Sequence, residues 1–182
     1  MRIAEINFGT DMKNLLFILA VFSIGLVENQ SYAQWTKTNG PYGGYVSAIA
    51  ISGNSVFAGT FGGGLFHSTN NGIRWEKVDL GLSEQFLNIK SIAVSGNNLY
   101  AGSSEGVYLS TDNGLTWNLT GYGSIYSVTS LAVSGNNLFV GSDNPGVVNI
   151  SVDIGSNWVP VNIGCNANVK SLAVIGNNIF AG

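Results

Sequence analysis

Four segments of this chain align without a gap over fourteen positions, and that repeat limits the fold more than any other feature. They are VSAIAISGNSVFAG (46–59), IKSIAVSGNNLYAG (89–102), VTSLAVSGNNLFVG (128–141) and VKSLAVIGNNIFAG (169–182). Their starts are 43, 39 and 41 residues apart. Each copy reads as a β-hairpin. An alternating apolar strand ends in a pair such as Ala93-Val94, Gly96-Asn97 forms a two-residue turn with positive φ values, and Leu99-Tyr100-Ala101 returns. Ala50, Ala93, Ala132 and Ala173 share one register position, where a small side chain fits a first strand close to a central axis.

A second motif follows each complete hairpin. Ser68-Thr69-Asn70-Asn71-Gly72-Ile73-Arg74-Trp75, Ser110-Thr111-Asp112-Asn113-Gly114-Leu115-Thr116-Trp117 and Ser151-Val152-Asp153-Ile154-Gly155-Ser156-Asn157-Trp158 share the pattern S-x-D-x-G-x-x-W, with tryptophans 42 and 41 residues apart. Two motifs in phase at a period near 41 predict an all-β chain, a β-propeller of four-stranded antiparallel blades. The chemistry of the second motif is that of a turn. Ser110 and Asp112 bond turn amides, Gly114 takes a left-handed backbone, and Trp117 inserts a large ring between sheets. Ser68, Asn70, Gly72, Trp75, Ser151, Asp153, Gly155 and Trp158 are given the same structural roles. The first copy carries Asn70 where the others carry Asp, which argues against a metal role for the turns.

This pattern resembles the Asp box, or bacterial neuraminidase repeat, and the resemblance covers nearly all of residues 34–182. It implies that each box lies in the turn between the third and fourth strands of a blade, away from the usual active face.

Composition agrees with an exported β-protein. Charged residues are 9%, glycines number 25, prolines 3, and the net charge is −3. No basic footprint for nucleic acid is present, since Lys37, Arg74, Lys77, Lys90 and Lys170 are scattered. The single cysteine, Cys165, permits neither an intrachain disulfide nor a CxxC site. Lys13, the apolar run from Leu15 to Val27 and Ser31-Tyr32-Ala33 describe a signal peptide over residues 1–33, with Met12 as the expected start and Gln34 as the mature N-terminus. The apolar run is too short for a comfortable span, and no membrane span is expected in the mature chain.

Trp35 precedes Ile49 by 14 residues, as Trp117 precedes Leu131 and Trp158 precedes Leu172, yet no box precedes Trp35. It reads as the outer strand of a last blade, closing a ring. Residues 34–182 hold about 3.6 repeats, fewer than the 4–8 blades of closed propellers, and Gly182 falls at the end of a second strand. The expectation is an incomplete propeller, the N-terminal part of a longer chain.

Turns of a four-stranded meander alternate between two ends. One end holds the Gly-Asn turns and the boxes. The other holds Pro41, Tyr42, Tyr45, Phe61, Glu84, Phe86, Glu105, Tyr122, Tyr126, Asp143 and Asn144, a candidate ligand face where aromatics with a few acids form a platform for sugar. Sialidases bind their substrate through an arginine triad, and Arg74, the only arginine after the leader, sits in a box at the opposite end. Xyloglucan-cleaving glycosidases use paired carboxylates, for which Glu84, Glu105 and Asp143 are the candidates. His67 reads as a strand residue and not as a base. The nearer resemblance is to secreted propellers similar to the photosystem II assembly factor, which implies a non-enzymatic binding or scaffold module for an extracellular protein or a carbohydrate. The alternative is a fragment of a secreted glycoside hydrolase. No catalytic residue, metal or cofactor is assigned.

Overall fold

A computed structural model describes residues 37–81, 88–123 and 126–182. Three four-stranded antiparallel sheets follow one another, and each is a meander in which consecutive strands pair. The first comprises β1 (Val46–Ser52), β2 (Ser55–Thr60), β3 (Gly64–Ser68) and β4 (Glu76–Val78). The second comprises β5 (Ile89–Ser95), β6 (Asn98–Ser103), β7 (Gly106–Ser110) and β8 (Asn118–Gly123). The third comprises β9 (Val128–Ser134), β10 (Asn137–Ser142), β11 (Val147–Ser151) and β12 (Val159–Asn162). A two-stranded hairpin of β13 (Leu172–Ile175) and β14 (Asn178–Ala181) begins a fourth blade. The chain is therefore an all-β, incomplete propeller. Among the described residues there is no helix, and none long and apolar enough to cross a membrane. The leader over 1–33, Met12, Trp35, Glu84 and Phe86 lie outside the described residues.

The hairpin turns differ from the sequence expectation in one respect. Gly53, Gly96, Gly135 and Gly176 take φ of 57°, 60°, 58° and 58°, while the asparagine after each keeps a negative φ. Positive φ at the first central residue alone is the type II′ pattern, so glycine is required there and asparagine is not.

Strand alternation sends each blade's side chains to two neighbours. Phe57 and Leu65 of the first blade pack with Ile89, Leu99, Ala101 and Tyr108 of the second. Ala93, Tyr100, Val107 and Tyr122 of the second pack with Val128, Leu138 and Val140 of the third. Phe139 and Val148 of the third pack with Val169, and Leu172 and Val174 complete that cluster. The recurrent alanines now have a local reason. Ala50, Ala93, Ala132 and Ala173 each pair across the hairpin with an aromatic, Phe57, Tyr100, Phe139 and Phe180. A small residue opposite a ring leaves room for it on the shared face.

The glycine that ends each hairpin forms a second lock. A Cβ on Gly59 would stand 2.6 Å from the Ile89 side chain, one on Gly102 2.5 Å from Val128, and one on Gly141 2.7 Å from Val169. Three times, a β-branched residue opening one blade presses onto a bare backbone in the blade before. Ser47 and Thr129 add hydroxyl bonds to the carbonyls of Ile89 and Val169.

Candidate functional site

The S-x-D-x-G-x-x-W segments form the turns that join β3 to β4, β7 to β8 and β11 to β12. In the second, the Ser110 hydroxyl accepts from the Gly114 amide at 2.8 Å and donates to Asp112 Oδ1 at 2.7 Å. Asp112 Oδ1 also accepts from the amides of Leu115 and Thr116 at 3.1 and 2.9 Å, and Oδ2 accepts from the Thr116 hydroxyl at 2.6 Å. Asp153 repeats this, with Ser151 at 2.7 Å, the Asn157 amide at 2.8 Å and the Asn157 side chain at 2.6 Å. These donors favour the charged form. The Thr116 hydroxyl and amide hold Asp112 at about 2, and the Asn157 amide and side chain hold Asp153 at about 2.

Two features of the turns escaped the sequence. The residue before each glycine is itself left-handed, with φ of 57° at Asn71, 57° at Asn113 and 61° at Ile154. Asparagine tolerates this and a β-branched isoleucine rarely does, so the third turn is held by its bonds and packing. The indoles of Trp117 and Trp158 donate to the carbonyls of Gly114 and Gly155 at 3.1 and 2.9 Å. The Trp117 ring meets Phe57 of the preceding blade edge-on at 6.3 Å, and Trp158 meets Tyr122 at 4.9 Å. In the first turn Ser68 bonds Asn70 and Gly72 at 2.9 Å each, and Asn70 Oδ1 accepts from the Arg74 amide at 2.8 Å. The Trp75 indole nitrogen is buried without a partner.

At the opposite end, the candidate ligand residues separate. Tyr45 and Phe61 stack in parallel, 5.2 Å between centroids and 5° between planes, while 67% and 45% exposed. The Phe61 amide donates to the Tyr45 carbonyl at 3.0 Å and fixes the pair. Gly43 and Gly63 make the close crossing beneath: a Cβ on Gly63 would stand 2.3 Å from the Tyr42 carbonyl. Tyr42 itself, 61% exposed, lines an open cleft of about 580 Å³ with Gly43, Gly62, Phe66, Trp75 and Lys77.

Tyr122 does not belong to this surface. It is 7% exposed, packs in the core between the second and third blades, and accepts from Asn149 at 3.1 Å. Tyr126 is exposed at 37%, next to Ser127, whose carbonyl accepts from the Asp143 amide at 3.1 Å. Asp143 keeps one oxygen buried without a partner. Glu105 accepts from the Tyr108 hydroxyl at 3.3 Å, and burial together with the Glu105 charge pushes that phenol up to about 12. His67 stacks on Phe57 at 4.5 Å, and burial lowers its basicity against the opposing pull of Glu76.

A family profile described as the DUF6242 beta propeller domain matches residues 68–172. No curated protein matches the sequence. Several solved structures share the fold. An ancestral GH74 enzyme superposes with a TM-score of 0.67 at 22% identity over 84% of this chain and 23% of its own. The computationally designed Ika4 protein gives 0.65 at 16% identity over 80% and 89%. YCF48 bound to D1 peptide gives 0.62 at 17% identity over 72% and 46%. The chain thus spans less than half of the GH74 enzyme and of YCF48.

Proposed function

The chain belongs to the DUF6242 β-propeller family, and from that premise we propose that it is an exported, non-enzymatic binding or scaffold module whose repeated turns are Asp boxes. The observation that carries the binding role is the Tyr45–Phe61 stack, two parallel rings left substantially in solvent and pinned by a backbone bond. Rigid, exposed aromatic faces accept the apolar face of a sugar ring, or a proline or aromatic side chain of a peptide, at low entropic cost. The partner class is an extracellular protein or a carbohydrate. YCF48, which shares the fold, has been solved bound to a peptide, and this lends support to a protein partner. Export is supported by the apolar leader of residues 1–33 and its small-residue cleavage site before Gln34.

The Asp-box reading is supported by the way Ser110, Asp112 and Gly114 close one turn and Ser151, Asp153 and Gly155 close another. Every oxygen of both carboxylates accepts a bond within its own turn, so these acids serve the backbone.

The test is a titration followed by tryptophan fluorescence, using xyloglucan and sialylated oligosaccharides and an extended proline-rich peptide as probes. Binding of one probe class without product formation, lost on Tyr45→Ala with Phe61→Ala, is the expected result. Hydrolysis of either glycan would replace this reading with the glycosidase one. Binding untouched by the double substitution would remove the aromatic pair from the site.

A further inference from the structure

The residues just past the inner ladder of each blade share a register position and differ in chemistry. The β1–β2 ladder ends at Val46 opposite Thr60, the β5–β6 ladder at Ile89 opposite Ser103, and the β9–β10 ladder at Val128 opposite Ser142. One residue further stand Tyr45 and Phe61, Asn88 and Ser104, and Ser127 and Asp143. Backbone bonds continue the first and third pairs, from the Phe61 amide to the Tyr45 carbonyl at 3.0 Å and from the Asp143 amide to the Ser127 carbonyl at 3.1 Å. Opposite residues of an antiparallel pair hold their side chains on one side, about 5 Å apart. The first two pairs also meet each other. Phe61 forms an antiparallel bridge with Asn88, across the junction between the first and second blades. Tyr45, Phe61, Asn88 and Ser104 therefore run in line over an interior junction, with both flanking blades in place.

The fold does not use the polar side chains of this line. At the other end of the blades, Ser110, Asp112 and Thr116 bond one another and the amides of their own turn. Here, among the described residues, the side chains of Asn88 and Ser104 make no hydrogen bond, and both residues are half-buried. Ser127 Oγ and Asp143 Oδ1 are buried without a partner. A buried polar atom left unbonded costs its desolvation with no return, so such a pair calls for a partner from outside the chain. Each residue is only half-buried as a whole, and a rotation about χ1 brings its oxygen to the surface.

We propose that this line binds a neutral oligosaccharide, with one sugar ring on Tyr45 and Phe61, the next bonded by Asn88 and Ser104, and a hydroxyl further along taken by Ser127 and Asp143. The proposal rests on the aromatic pair being the binding site and names what that site takes. A sugar ring has an apolar face of C–H groups and a rim of hydroxyls that both donate and accept. Parallel aromatic rings suit the face. An amide, two hydroxyls and a carboxylate supply donors and acceptors for the rim. Charge selects within the class. The six positions carry one negative charge and no positive one, and Glu105 beside Ser104 adds a second carboxylate. Lys90, two residues after Asn88, is the nearest cation in sequence. An acidic sugar would thus meet two carboxylates for one ammonium, and a neutral one meets no such opposition.

Titration calorimetry on the full chain tests this with cellohexaose, mannohexaose and xylohexaose as neutral probes, hexagalacturonate and sialyllactose as acidic ones, and an extended proline-rich peptide. The variants are Asn88→Ala with Asp143→Asn, and Tyr45→Ala with Phe61→Ala. At least one neutral hexasaccharide is expected to bind, and each double variant to weaken it by more than about tenfold. Urea midpoints should stay unchanged for Asn88→Ala with Asp143→Asn, because neither side chain bonds within the fold; a lowered midpoint would give these residues a structural role and overturn the proposal. So would binding of the acidic probes alone, no binding of any neutral hexasaccharide, or sugar binding that Asn88→Ala with Asp143→Asn leaves intact. Peptide binding lost on Tyr45→Ala with Phe61→Ala, without sugar binding, would overturn the sugar assignment and leave the aromatic pair as the site. Sugar binding untouched by that aromatic variant would remove the pair itself and overturn both.

Discussion

The turn that joins β3 to β4 and the one that joins β7 to β8 have nearly the same internal bonds and quite different surroundings. Ser68 and Ser110 bond the glycine four residues on at 2.9 and 2.8 Å, and Asn71 and Asn113 share a φ of 57°. Yet Trp117 bonds the Gly114 carbonyl and lies against Phe57, while Trp75 has an unpartnered indole and lines an open cleft. The difference is the neighbour. The second turn packs on a preceding blade, and the first has none among the described residues. The serine, the acid or amide, and the glycine therefore make the turn locally, and the tryptophan is placed by the blade before it. Packing and turn chemistry are separable in this repeat, and substitutions can probe each.

The largest effect is expected where the two meet. Phe57 is fully buried, stacks on His67 and fills the space over Gly114. Phe57→Ala should cost about 3–5 kcal/mol, the usual range for a buried aromatic. Next, Trp117→Ala should cost about 2–3 kcal/mol, less because the ring is half-buried, and Trp75→Ala only about 1 kcal/mol. Urea midpoints of the three variants measure the order. Equal losses for Trp117 and Trp75 would dissolve the distinction between a turn that meets an aromatic of the preceding blade and one that does not. Trp117→Ala is also expected to exceed Asp112→Ala, and coincident midpoints for that pair would contradict the division of roles.

The repeat explains how much could be read in advance. Strand order, the turn between third and fourth strands and the incomplete ring follow from two motifs in phase at a fixed spacing, because each blade must bury its faces on copies of itself. The locks at Gly59, Gly102 and Gly141 were also in view, as the last letter of every hairpin, but a glycine there reads equally well as the start of a turn. Only the approach of Ile89, Val128 and Val169 gives it a reason. The candidate ligand end was less legible. Tyr42, Tyr45 and Phe61 belong to short glycine-rich crossings that hold rings at the surface, while Tyr122 lies in a strand whose alternation turns it into the core. An aromatic letter near a loop does not state which side of the pleat it takes.

Acid separates the turns in another way. Asp112 and Asp153 lie at about 2, below the ordinary 3.8 of the unfolded chain. A folded value below the unfolded one stabilises the protein above about pH 4, and that contribution is lost as pH falls through 2. Thermal melts from pH 7 to pH 2 should show a decline in that window, made shallower by Asp112→Asn with Asp153→Asn. A double variant with an unchanged acid limb would show that other carboxylates control it.

The smallest effect is expected from giving the first turn the missing charge. Asn70 Oδ1 already accepts from the Ser68 hydroxyl and the Arg74 amide, so Asn70→Asp exchanges one acceptor for another at the same place. What the first turn lacks is the short neutral donor for a second oxygen. Thr116 and Asn157 supply it in the other copies through their side chains, and Arg74 occupies that position here. Asn70→Asp alone should shift stability at pH 7 by less than about 0.5 kcal/mol, as an exposed substitution that breaks no packing. Arg74→Thr added to it should recreate the bond that holds Asp112 down. The melting difference between pH 7 and pH 2.5 should then grow in the order parent, Asn70→Asp, and Asn70→Asp with Arg74→Thr. If the single variant already shows the full gain, the backbone amides suffice to hold the carboxylate. If the double variant gains nothing over the single, the neighbouring blade, and not the hydroxyl, sets the acid strength of the second and third turns.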